Sequence, residues 1–137
     1  LDLMLRIVSA VRAAGLGGFQ YFNGMPTAEM TQLAYRAIGV PLYSSAVFCF
    51  APDLALAFWR AFTGGDQETA DRLLDGFWRP YVELRQRGAG YAVSLVKAGV
   101  VLDGLDVGPV RAPLSQPAAE HVAELARLIE AGRKLLP

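Results

Sequence analysis

The chain has 137 residues, with 13 Lys+Arg against 13 Asp+Glu and a single His, so its formal net charge is zero. At 53% hydrophobic and 19% charged residues it has the composition of a folding chain and not of a disordered one. Zero net charge removes the electrostatic case for nucleic acid or an anionic membrane as partner. One Cys beside one His excludes an internal disulfide and a His/Cys zinc site built from this chain alone, and fits a cytoplasmic protein.

Residues 1–14 place Leu1, Met4, Leu5, Val8 and Val11 at three- and four-residue spacings, with Arg6 and Arg12 off that face. This predicts an amphipathic helix stopped by Gly15, Gly17 and Gly18. The chain enters that pattern at Leu1 with no start methionine, signal peptide or polar lead-in, and the expectation is a segment of a longer protein. Residues 18–24, aromatic and bounded by glycines, predict a strand. Pro26 opens a helix with Met30, Leu33, Ala34, Ala37 and Ile38 on one face, closed by Gly39. Residues 40–47 predict a second strand, apolar enough to be buried on both faces. The order helix–strand–helix–strand, with connections of a few residues, points to βαβ units and a parallel sheet.

The second half is helical. Pro52 starts a helix to about Phe62, ended by Gly64 and Gly65. Asp66 is the N-cap of a long helix from Gln67 to Arg87, carrying Leu74, Phe77, Tyr81 and Leu84, which Pro80 should kink or split. Tyr91 to Leu102 predicts another helix, residues 106–114 an extended connector, and Pro117 starts a last helix with Val122, Leu125, Leu128 and Ile129. From Val40 to Trp59 the only charge is Asp53, which by hydropathy nominates a membrane span. Pro41, Pro52 and the adjacent Ser44–Ser45 argue against it, and a buried strand, a loop and a helix explain the same residues.

Most signatures of chemistry are absent. The glycines at 15–18 and 63–66 lack the spacing and the lysine of a phosphate loop and read as helix stops. Ser44 and Ser45 are not in a GxSxG elbow. His121 has no adjacent nucleophile and is expected at solvent or an interface; Cys49 is expected to be a buried, inert thiol. Glu29 falls in the first turn of a helix, where it interacts favourably with the dipole. Asp66, Glu68, Asp71 and Asp75 read as a cap and a solvated face. Lys97 lies in an apolar run and should need a partner, as an ion pair or by snorkelling.

Three stretches in order go further: FNGMPTAEM (22–30), GVPLYSSAVFCFAP (39–52), and GYAVSLVKAG with DVGPVRAPL (90–99 and 106–114). Together they resemble the dihydrodipicolinate synthase/N-acetylneuraminate lyase superfamily, and within it the 5-dehydro-4-deoxyglucarate dehydratases. The glucarate branch shows a GxPTAE strand-to-helix junction, a YSSAVFNF-type segment and a VRxPL turn after a lysine-containing helix. Cys49 departs from the pattern, where asparagine is usual, and this puts a loop hydrogen bond there in doubt.

The resemblance implies an α/β fold, the C-terminal part of a TIM (β/α)8 barrel. Residues 1–63 would be terminal βα units holding the last two strands, and 64–137 a C-terminal helical extension. A complete barrel takes roughly 250 residues. It implies a lyase of sugar-acid catabolism that dehydrates and decarboxylates a 2-oxo acid to 2,5-dioxopentanoate, with no metal and no dissociable cofactor, homo-oligomeric at full length. The family's Schiff-base lysine and assisting tyrosine would lie upstream of Leu1, so the segment would be inactive alone. The substrate-binding residues carried over are Gly24, Ser44 and Ser45. Gly24 would leave space beside the imine, though it could equally permit the turn into Pro26. Only one of the two serines can point inward, since strand side chains alternate. Two other readings remain: a synthase or aldolase acting on a different 2-oxo acid, and a non-catalytic half-barrel interaction module whose open strand edges associate.

Overall fold

A computed structural model describes residues 1–136; Pro137, the last residue of the expected extension, lies outside the described residues. The chain divides into two compact units, Leu1–Ser44 and Ser45–Pro137.

The first unit holds α1 (Asp2–Ala13), β1 (Phe22–Asn23), α2 (Glu29–Ala37) and β2 (Leu42–Tyr43). The two strands pair in parallel, with Phe22 opposite Leu42 and Asn23 opposite Tyr43, as the order of elements predicts. Both are far shorter than the expected 18–24 and 40–47, because a strand extends only as far as a partner supplies its hydrogen bonds. The second strand is not buried on both faces either, since Leu42 stays exposed. On α1 only Val8 is buried; Leu1 and Leu5 of the predicted stripe are open, as are Leu3 and Ile7 beside it.

The buried face of α2 also differs from the apolar stripe. Ala28, Glu29 and Gln32 are fully covered, while Met30 and Leu33 are half-covered and Ala34 and Ala37 exposed. The reason is what the helix packs on. It lies on β2, and Gln32 Nε2 donates to the Val40 carbonyl at 3.1 Å, satisfying the backbone where that strand begins.

The second unit starts with a short 3-10 turn (Val47–Cys49), then α3 (Pro52–Gly64), α4 (Gln67–Leu73), a π-helical turn (Leu74–Trp78), α5 (Arg79–Gln86), α6 (Tyr91–Leu102) and α7 (Ala119–Arg133). Pro52 occupies the first turn of α3, and Gly65 ends it at φ +76°, a left-handed residue whose N–H returns to the Ala61 carbonyl. Asp66 caps α4, its Oδ1 accepting from Thr69 N–H at 3.0 Å. That bond holds the Asp66 carboxyl below the usual carboxylate range.

The long helix is divided as Pro80 predicts, into α4 and α5 with a π turn between them, and Pro80 lies in the first turn of α5. A proline ring clashes with the carbonyl four residues earlier, here that of Gly76. The wider π turn at Leu74–Trp78 contains that carbonyl and carries the chain past it without a stop.

The core of this unit is aromatic. Phe58 packs on Trp78 with ring centroids 5.2 Å apart, Phe77 meets Trp78 edge-on at 5.1 Å, and Phe50 reaches Tyr81 at 5.7 Å. Leu54, Leu73, Leu84, Leu95 and Leu125 complete it, all fully buried. Gly99 lets α6 close on Phe50: a Cβ there would sit 2.5–2.8 Å from atoms of the Phe50 side chain. Among the described residues no helix is long and apolar enough to cross a membrane. The apolar run 40–59 is divided between β2, the 3-10 turn and α3.

Candidate functional site

In a parallel strand pair the side chains alternate between faces, and neighbours in register share a face. Asn23 and Tyr43 are opposite each other and turn toward α2. Asn23 Nδ2 donates to the Ala28 carbonyl at 3.2 Å and to Thr31 Oγ1 at 3.1 Å. The Tyr43 hydroxyl lies within the field of Glu29. Burial first, and that negative charge second, push the Tyr43 phenol well above its ordinary value, so it is a neutral hydroxyl and no base near neutral pH.

Phe22 and Leu42 therefore mark the other face, and both are exposed there. Gly24 and Ser44 are the next positions on it. The ladder runs one step past the assigned strands, Ser44 N–H donating to the Asn23 carbonyl at 3.1 Å. A Cβ on Gly24 would meet the Phe22 ring at 3.3 Å, which puts the vacant side of the glycine on the Phe22 face. The backbone at Gly24 is not among the positive-φ positions, so no left-handed turn into Pro26 requires glycine there. What remains special about Gly24 is the space it leaves.

This face offers an exposed serine, open backbone and apolar walls from Phe22 and Leu42. The side chains it presents are the Ser44 hydroxyl, which can donate and accept hydrogen bonds, and two apolar groups. Ser45 has a different task. It opens the second unit, and its Oγ accepts from Phe48 N–H at 3.3 Å, capping the 3-10 turn. The structure thus parts the serine pair: Ser44 continues the strand and Ser45 starts the next turn.

The groove in the first unit lined by Val8, Arg12, Leu16, Phe19, Tyr21 and Gly39, about 410 Å³, does not include Gly24 or Ser44. Among the described residues no group of three or more His, Cys, Asp or Glu could hold a metal ion.

Cys49 is exposed, against the expected buried thiol. In a 3-10 turn residues three apart share a side, so Val47 and Phe50 take the inward positions and Phe48 and Cys49 face out. Lys97 finds a partner, though a neutral one: Nζ donates to the Pro109 carbonyl at 2.8 Å and ties α6 to the connector. His121 is half-covered and belongs to a local network. Its Nδ1 lies 2.9 Å from the Tyr91 hydroxyl, which also accepts from Ala118 N–H at 3.1 Å, at the start of α7.

Sequence reasoning missed Asn23 and Tyr43, the residues behind the strand ends. The available signal was a polar residue and a tyrosine at the same step of two strands joined by one helix.

A model of the dihydrodipicolinate synthetase family matches residues 2–132. A probable 5-dehydro-4-deoxyglucarate dehydratase 1 of Streptomyces coelicolor is 68% identical over 137 residues, covering 99% of this chain and 43% of that protein. The protein of the same name from Streptomyces avermitilis is 65% identical over 136 residues, covering 99% of this chain and 44% of its own length. A probable 5-dehydro-4-deoxyglucarate dehydratase of Streptomyces griseus is 66% identical over 137 residues, again 99% of this chain and 43% of that protein. The chain thus spans less than half the length of these curated relatives.

Proposed function

Because the chain belongs to the dihydrodipicolinate synthetase family, we propose that it is the C-terminal part of a (β/α)8-barrel lyase acting on 5-dehydro-4-deoxyglucarate. The whole enzyme removes one water and one CO2 from this sugar acid and leaves 2,5-dioxopentanoate. The observation that carries the reading is identity of 65–68% along 99% of this chain with proteins named for that dehydration. Residues 1–63 are the terminal βα units of the barrel and 64–137 its helical extension. The parallel register of β1 and β2 and the open apolar side chains of α1 support that placement.

In this reading a lysine upstream of Leu1 attacks the 2-oxo group as a neutral amine, and the resulting iminium accepts electrons from the breaking bonds. The chain itself supplies binding. Gly24 and Ser44 stand at the C-terminal ends of adjacent parallel strands, the end at which barrel enzymes hold their substrates. Gly24 leaves room beside the imine, and Ser44 Oγ bonds a carboxylate or hydroxyl of the substrate. Ser45 Oγ accepts from Phe48 N–H and still has its O–H proton to donate. The enzyme works in the cytoplasm as a homo-oligomer, without a metal or dissociable cofactor.

Borohydride trapping of the full-length protein with 5-dehydro-4-deoxyglucarate tests the reading. The label is expected on a lysine upstream of Leu1. Labelling at Lys97 or Lys134, the two lysines of this chain, or no labelling at all, overturns it. Turnover of pyruvate plus an aldehyde in place of the sugar acid would move the enzyme to the aldolase or synthase branch.

A further inference from the structure

Behind the strand ends, on the face turned to α2, four polar side chains are buried: Asn23, Thr27, Glu29 and Gln32. Buried polar groups cost stability unless they are bonded, and bonded ones fix geometry. Asn23 is 1% exposed and uses both ends of its amide. Oδ1 accepts from Met25 N–H at 3.1 Å, closing a turn around Gly24. Nδ2 donates to the Ala28 carbonyl and to Thr31 Oγ1, which lie where α2 begins. One side chain thereby grips both ends of the loop that holds Gly24.

That loop stores strain. Thr27 sits at φ +54°, a region that β-branched residues seldom adopt and that persists only where the surroundings hold it. Thr27 is 6% exposed and its hydroxyl donates to the Pro26 carbonyl. The Asn23 bonds to Met25 and Ala28 span the segment that holds Thr27 in this conformation. The PTAE motif (26–29) acquires a physical role here: Thr27 bends the chain, Ala28 receives the bond, and Glu29 starts the helix against Tyr43.

We propose that Asn23 is a positioning residue, whose buried amide holds the 24–28 loop so that Gly24 keeps its place on the opposite, substrate-facing side. Asn23 itself does not reach that side. The proposal rests on the reading that Gly24 and Ser44 face the substrate.

The test uses the full-length protein with Asn23→Ala and Asn23→Asp, and Gln32→Leu as the comparison. Gln32 is equally buried, but its bond to the Val40 carbonyl anchors the start of β2, away from Gly24. In Asn23→Ala, amide exchange at Met25 should rise about tenfold or more, and KM should rise about tenfold with a smaller fall in kcat. Asn23→Asp keeps the acceptor for Met25 N–H and should restore its protection while KM stays intermediate. Gln32→Leu should lower the thermal midpoint and leave KM within about twofold.

Unchanged exchange at Met25 in Asn23→Ala, or a KM shift that Gln32→Leu reproduces, overturns the proposal. If Asn23→Ala does not fold, Asn23→Ser takes its place with the same criteria. If the wild-type protein fails to turn over 5-dehydro-4-deoxyglucarate, the substrate reading falls separately. The half-saturating pyruvate concentration for borohydride trapping then replaces KM, and Met25 exchange decides the role of Asn23 where pyruvate does not label.

Discussion

In the unit Leu1–Ser44 the fully covered apolar side chains are Val8, Ala28 and Val40, beside four covered polar ones, Asn23, Thr27, Glu29 and Gln32. From Ser45 onward the covered set is led by Phe50, Phe58, Phe77, Trp78 and Tyr81, and its one covered polar residue among those described is Ser94. The two units are held by different forces. Burial of apolar area is strong and non-directional, at about 25 cal/mol per Å². Hydrogen bonds add about 1 kcal/mol net each but demand particular distances and angles. The second unit has a core of its own. The first is ordered by directional bonds and leaves Leu1, Leu3, Phe19, Phe22 and Met25 open, which marks surface for further contacts.

The comparison is broken most severely at Phe58, which is fully buried between Phe62 and Trp78. Phe58→Ala should cost about 3–5 kcal/mol in denaturant unfolding; a loss below about 1 kcal/mol would mean the aromatic cluster is not the source of stability. Next comes Gly99→Val, which forces a side chain into Phe50 and should cost about 1–3 kcal/mol by overpacking. The same measurement checks it, and a neutral result would show that α6 can slide off the 3-10 turn.

The first unit should be the alkali-sensitive one. Tyr43 has its folded value raised above its unfolded value of about 10. Folded molecules then hold the proton more tightly, so this contribution is complete below about pH 10 and is lost as pH rises beyond it. Circular dichroism with phenolate absorbance should show loss of structure in residues 1–44 accompanying ionisation of Tyr43, and Tyr43→Phe should remove that component. Ionisation of Tyr43 with structure intact would contradict the burial argument.

The smallest effect is expected at the pair Arg87–Glu124, 2.8 Å apart. Both side chains are partly exposed to solvent, so Arg87→Ala should cost no more than about 0.5 kcal/mol, falling further with added salt. A larger, salt-independent loss would assign the second unit a polar component that its core does not suggest.

The helices were legible to different depths. The start of α3 at Pro52, the cap at Asp66 and the span of α6 from Tyr91 to Leu102 follow from local signals and stand as read. These depend on backbone conformations that Pro, Gly and Asp favour wherever they occur. The long helix could be foreseen with a disturbance at Pro80, while the π turn that absorbs it could not, because that choice depends on which side chains the surrounding helices cover. Gly24, Ser44 and Ser45 were legible as candidates through the motif, while alternation said only that one of the two serines can point inward. Asn23 was not, since its role rests on atoms of residues 25, 28 and 31 meeting in space.

The amino-acid sequence by itself determined the order of elements, the parallel sense of the strand pair and the family, because short connections and helix stops act over a few residues. Tertiary structure decided the rest: two-residue strands, the polar face of α2, Cys49 outside and His121 against Tyr91. Hydrophobic periodicity reports that a helix has a face to cover. Which face is covered, and whether a polar side chain can join it, depends on donors and acceptors brought from other segments of the chain.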